Sequence, residues 1–160
     1  MFAHLSCYRS NAFILLGILL TVIGSVPAWA GLGGDVPSIQ ADQLHMQGTR
    51  RTMTAEAYTM HEIQGASGTV VREYVSAEGK VFGVAFHGPW LPDMRQLLGS
   101  YFDQYSRAMQ VKSGNRLGRH PVVIEEPGLS VQITGHPRAF AGRAYVPDTL
   151  PSGVRPEDIQ

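Results

Sequence analysis

AYTMHEIQGASGTVVREYVSAEGKVFGVAFH, residues 57–87, decides the fold. From Ala57 to Gln64 the side chains alternate. Tyr58, Met60 and Glu62 fall on one face, and Thr59, His61 and Ile63 on the other, which is the period of a strand. Gly65-Ala66-Ser67-Gly68 is a turn. Thr69 to Ser76 is β-branched and aromatic, as strands are. Ser76-Ala77-Glu78-Gly79 is a second turn, with Gly79 suited to a left-handed backbone. Lys80 to His87 alternates again and assigns Phe82, Val84 and Phe86 to one face. Three strands joined by short turns predict an antiparallel meander.

Downstream, His87-Gly88-Pro89 ends the meander. Pro92 suits the first turn of a helix, and Asp93 favours its positive end. Met94, Leu97, Leu98, Tyr101, Phe102, Tyr105 and Met109 then recur at helical spacing and fill an arc of about 140°. One long amphipathic helix running to about Lys112 is expected, stopped by Gly114 and wide enough to cover one face of the meander. Ser113–Pro121 reads as a loop. Val122–Glu125, Leu129–Thr134 and Arg138–Val146 read as two or three further strands, with Gly142 at a bulge or a close contact. The fold class is α+β: an antiparallel sheet packed on one principal helix.

The flanks are plainer. Gly31–Pro37 is glycine-rich and expected to be a flexible leader. Ser38 can cap a short helix through Ile39, Leu44 and Met46, with Gly48 ending it. Thr49–Ala55 has no clear period and reads as loop or frayed edge. Residues 147–160 hold three prolines and are expected to form an extended tail. The division is thus 1–30, 31–48, 49–146 and 147–160, with a single α+β domain in the third segment.

Residues 1–30 carry an export signature. Arg9 precedes the apolar run Ala12–Ile23, Pro27 breaks the run, and Ala28-Trp29-Ala30 fits the small-x-small cleavage pattern. The run is shorter than the roughly 20 residues of a spanning helix, and no stop-transfer segment follows. Cleavage after Ala30 is expected, with no membrane span left behind and the product periplasmic or secreted. Cys7 precedes the run, so it is not placed for lipid attachment and leaves with the signal. The mature chain is then cysteine-free and relies on packing alone.

The whole chain carries 13 Lys+Arg and 13 Asp+Glu. Arg9 is the one basic residue removed with the signal and no acid is lost, so the mature formal charge is −1. A near-neutral chain has no general electrostatic grip on nucleic acid or an anionic membrane. No nucleic-acid partner is expected.

No motif fixes a chemistry. His45, His61, His87, His120 and His136 have neither i, i+2 nor i, i+4 partners, so no metal is expected. His61-Glu62 resembles the start of HExxH, but Gly65 stands where the second His belongs. Gly65–Thr69 lacks the last glycine of G-x-S-x-G and joins two strands. Gly31-Leu32-Gly33-Gly34 has no strand before it, so no phosphate loop and no cofactor is expected.

A few residues stand out as candidate contacts. Arg72 and Glu73 point to opposite faces of one strand. A buried charge needs a partner, and Arg138, Arg143 and Tyr145 qualify if the last strand lies alongside. The alternative is an edge strand with both charges solvated. Trp90 is either a core plug, the favoured reading, or an exposed recognition residue. His87 and His136 complete the candidate ligand-binding set.

Three phrases carry a resemblance: LGGDVPSIQADQLHM, YTMHEIQGASGTVVREYVSAEGKVFGVAFHGPWLPDMRQLLGSYFDQY and GHPRAFAGRAYVPDTLPSGV. Over nearly all of residues 31–155 the chain resembles a bacterial family catalogued as domain of unknown function 2844. The resemblance implies an exported bacterial protein and supplies no activity, cofactor or catalytic residue. The first expectation is a non-enzymatic binding or assembly module of the envelope, or a secreted one, with an envelope protein or other ligand as partner. The alternatives are a small enzyme that brings His87, His136, Glu73 or Arg143 together in three dimensions, and a His/Met metal carrier.

Overall fold

The computed structural model describes residues 31–112 and 121–160. The export signature, with Cys7, Ala28 and Ala30, and most of the expected loop before Pro121, with His120, lie outside the described residues.

Seven strands form one antiparallel sheet: β1 (Thr49–Thr54), β2 (Thr59–Gln64), β3 (Val70–Val75), β4 (Val81–Gly88), β5 (Val122–Glu126), β6 (Leu129–His136) and β7 (Ala139–Tyr145). Their order across the sheet is β1-β2-β3-β4-β7-β6-β5. The chain therefore makes two local meanders, and the last strand returns to close them into one sheet beside β4. Helix α1 (Val36–His45) precedes the first meander. Helices α2 (Met94–Leu98) and α3 (Phe102–Lys112) separate the two. This is an α+β domain.

The meander has the expected strands and one more. Thr49–Thr54, read as loop or frayed edge, is the outer strand β1, and its six residues are all exposed. The faces depart from strict alternation at one point. Tyr74 pairs with Gly83 while Val75 pairs with Val81, so Phe82 is an extra residue in β4. A bulge of this kind shifts the phase of the strand. Val84 and Phe86 face the helices, as expected. Phe82 turns to the other face, against Tyr58 and Tyr74.

The helical layer covers the face carrying Ile63, Val71, Val75, Val84, Phe86, Val131 and Ile133. Met94, Leu97, Leu98, Tyr105 and Ala108 are buried against it, so the helical spacing of this stretch reads correctly. It is not one helix, however. Gly99, at φ 50° and ψ −124°, ends α2, and a 3-10 turn over Gly99–Tyr101 leads into α3. Only glycine enters that left-handed region without strain.

Both flanks are tied down. The leader, expected to be flexible, packs on the domain. Leu32 is 1 % exposed, and its N–H donates to the Leu97 carbonyl at 2.9 Å. Gly33 N–H donates to Val81 O, and Val81 N–H returns the bond to Gly34 O. The cap of α1 is Asp35, whose side chain accepts from Ser38 N–H; Ser38 itself is buried. Residues 147–160, expected as an extended tail, fold back across the other face of the sheet. Ile159 is fully buried there with Tyr74, Phe82 and Tyr145. Gly83 makes the room, because a Cβ on it would lie 2.8 Å from Ile159 Cδ1.

Candidate functional site

The tail-covered face of the sheet is built in rows set by strand register. In one row Glu62, Arg72, Ala85, Arg143 and Gln132 lie side by side across β2, β3, β4, β7 and β6. Ala85 is small, and the arginines flanking it hold the tail from either side. Arg72 Nε donates to Glu62 Oε2 at 2.9 Å and Nη1 to the main-chain oxygen of Gln160 at 2.8 Å. Tyr74 also donates its hydroxyl to that oxygen and accepts from Gln160 N–H. Burial raises the Tyr74 phenol pKa above its ordinary value. Arg143 Nη1 donates to the carbonyl of Pro156 at 2.7 Å, and its Nε and Nη2 both donate to Gln132 Oε1.

The adjacent row contains His87, Ala141 and Thr134. The tail does not cover it. Between this row, Arg143 with Gln132, and the end of the tail lies an open groove of about 250 Å³. His87, Gln132, Thr134, Ala141, Arg143, Ile159 and Gln160 line it, with Phe86 and Gly142. Gly142 is the close contact read from the sequence: a Cβ there would lie 2.6 Å from Phe86 Cζ.

A second polar centre lies beneath the helices. Glu73 on β3 is fully buried, and Asp42 on α1 is 3 % exposed. The two carboxyls are neighbours, close enough for each to shift the other's titration. Gln96 Nε2 donates to Asp42 Oδ1. With both carboxyls ionised, neither Glu73 oxygen nor Asp42 Oδ2 has a donor. A proton kept by one member supplies a donor between them that the ionised pair lacks. Burial accordingly raises both pKa values, that of Glu73 well above the ordinary range, and the Asp42 charge raises Glu73 further. At Asp42 the Glu73 carboxyl and the Gln96 amide oppose this, then the His45 charge; at Glu73 the Arg50 charge opposes it. Nearby His61 is also buried, which lowers its pKa. It hydrogen-bonds Thr52 through Nδ1 at 3.0 Å.

The residues singled out from sequence therefore divide among several places. His87 and Arg143 meet at the groove. Arg72 and Tyr145 lie on the same sheet face; Tyr145 is buried in the aromatic cluster under the tail. Glu73 is on the opposite face, and its partner is Asp42 rather than Arg138, Arg143 or Tyr145. The last strand lies beside β4, one strand too far away, and β3 is an interior strand and not an edge. His136 and Arg138 are exposed at the β6–β7 turn, where Arg138 has φ 71°. Trp90 is 61 % exposed and is no plug; it contributes only its carbonyl, which accepts from the Thr69 hydroxyl at 2.9 Å.

Sequence reasoning missed Asp42, Gln96, Gln132, Thr134 and the tail residues. Gln132 and Thr134 had a signal. A hairpin centred on the Gly135-His136-Pro137 turn sets them opposite Arg143 and Ala141. Asp42 had none, since its partner comes from a strand far along the chain. Among the described residues, no group of three or more His, Cys, Asp or Glu is placed to hold a metal ion, and no helix is long and apolar enough to cross a membrane.

Fold and site together define a small α+β domain whose sheet is capped by helices on one face and strapped by its own tail on the other. The family described as Protein of unknown function (DUF2844) matches residues 28–159, and the chain belongs to it. No curated protein and no solved structure matches the chain.

Proposed function

We propose that this protein is exported, loses residues 1–30 after Ala30, and serves in the periplasm or outside the cell as a non-enzymatic binding module. One observation carries the binding half: the groove on the uncovered row of the sheet, where Arg143, His87, Gln132 and Thr134 surround a floor of Ala141 and Ile159. Concave sites with an apolar floor and a few fixed polar groups are the usual form of a ligand site. The groups named for an enzymatic reading support it less. Glu73 is sealed under the helices, His136 is at a turn, and only His87 and Arg143 share a cleft. Export is supported by the signal pattern and by a family match that starts at residue 28, leaving the apolar run outside it.

The test uses the full gene in its native host. Protein recovered from the envelope or medium should begin at Gly31 by mass spectrometry. Native mass spectrometry should show a small molecule retained by the wild type and lost from Ala141→Trp, which fills the groove from an exposed position. An intact Met1 on cytosolic protein would overturn the export half. Identical spectra from wild type and Ala141→Trp would overturn the binding half.

A further inference from the structure

We propose that the groove takes a small carboxylic acid as its anion, with the carboxylate on Arg143 and an apolar body along Ala141 and Ile159. This rests on the reading of the groove as a binding site and adds the chemical class of its occupant.

The argument begins with the donors of Arg143. A guanidinium offers five N–H groups in a rigid fork. Three are used, two on Gln132 Oε1 and one on the Pro156 carbonyl. The other two have no acceptor among the described residues. These bonds do more than occupy donors: they fix the plane of the guanidinium, so little side-chain entropy is lost when an anion docks. No Asp or Glu lines the groove, and the acid on the same row, Glu62, is taken up by Arg72. The free donors are one N–H on each of Nη1 and Nη2, and the two oxygens of a carboxylate can serve both where a point anion serves one.

Size and floor select the remainder of the ligand. At about 250 Å³ the groove suits a small molecule and not a folded partner. Its floor is a methyl group, a glycine backbone and a buried isoleucine, so the body against it gains most by being apolar. Gln132 Nε2 is left available beside the fork, because its Oε1 already accepts from Arg143.

Isotopically labelled protein purified from its own cells in the form those cells make, followed by amide NMR, tests the assignment with sodium hexanoate and the neutral isostere hexanamide as probes. At about 10 mM, enough to populate a millimolar site, hexanoate should shift the Arg143 Nε–H signal and the amides of Ala141 and Gly142. Hexanamide should leave them in place. Arg143→Gln should weaken hexanoate binding about tenfold or more. Gln132→Glu keeps the arginine but supplies an internal carboxylate to the same fork, and it should weaken binding equally. Equal shifts from acid and amide, no shift from hexanoate, or wild-type binding by a folded Gln132→Glu protein would each overturn the carboxylate assignment. Retention of a neutral molecule, lost in Ala141→Trp, would overturn it while leaving the binding module standing.

Discussion

At Glu73 the chain puts a carboxyl where only another carboxyl answers it. A carboxyl whose pKa is raised by folding holds its proton more tightly in the folded state. Its stabilising contribution is complete below the ordinary carboxylate range and is lost as pH rises through the folded value. Both Asp42 and Glu73 are shifted in that sense. Their contribution should therefore fall from about pH 4 upward, opposite to that of a salt-bridged acid. Urea denaturation across pH 4 to 8, roughly the span over which ordinary and raised carboxyls titrate, checks this. Glu73→Gln, which brings its own donor to Asp42, should flatten the slope and add about 1.5–3 kcal/mol at the alkaline end. A slope unchanged by this substitution would remove the shared proton from the account. Trp90 gives the contrasting case. Its ring is largely in water, so Trp90→Ala should leave the thermal midpoint nearly unmoved, within about 0.5 kcal/mol. Thr69→Val, which deletes the buried hydroxyl bonded to the Trp90 carbonyl, should cost about 1 kcal/mol.

Among the elements, the break at Gly99 divides the labour of the helical stretch. Helix α2 carries Gln96 to Asp42, and α3 continues over the sheet toward β5. Gly99→Ala puts a Cβ on a left-handed backbone and should cost about 1–2 kcal/mol by chemical denaturation. An unchanged midpoint would mean that the stretch straightens without penalty. The period of residues 94–109 was legible because burial follows the helix phase on both sides of the break. The break itself was not, since glycine is also tolerated inside helices. The strands after β1 were legible for a similar reason: one face of each meets the helices, and alternation records it, whereas β1 is exposed at every residue and leaves no such record. The phase slip at Phe82 was hidden, because Val81, Phe82, Val84 and Phe86 are all apolar and either face accepts them. The two ends were misread because glycine and proline mark irregular backbone, which says nothing about whether that backbone is buried. Of the groove, Arg143 and His87 were visible as polar residues on strands. Their convergence depends on β7 lying beside β4, a pairing between strands far apart in sequence.

The molecule as a whole is a sheet with two unlike covers. The helical cover is broad and hydrophobic. The other is a short segment held by Ile159, by the Pro156 carbonyl on Arg143 and by Gln160 on Arg72 and Tyr74. Ile159→Ala removes the plug over Gly83 and should cost about 2–5 kcal/mol in urea unfolding. Dye binding to newly exposed apolar surface should rise with it. A variant as stable and as dye-silent as the wild type would show that the strap contributes little. The strap also sets a timetable. Its anchors follow every strand in the chain, while the aromatic rings that they shelter belong to strands made much earlier. A nascent chain emerging from the ribosome N-terminus first keeps Tyr74 and Phe82 wet until residues 156–160 arrive, and during that interval it depends on a chaperone, or on speed, to avoid sticking to its neighbours.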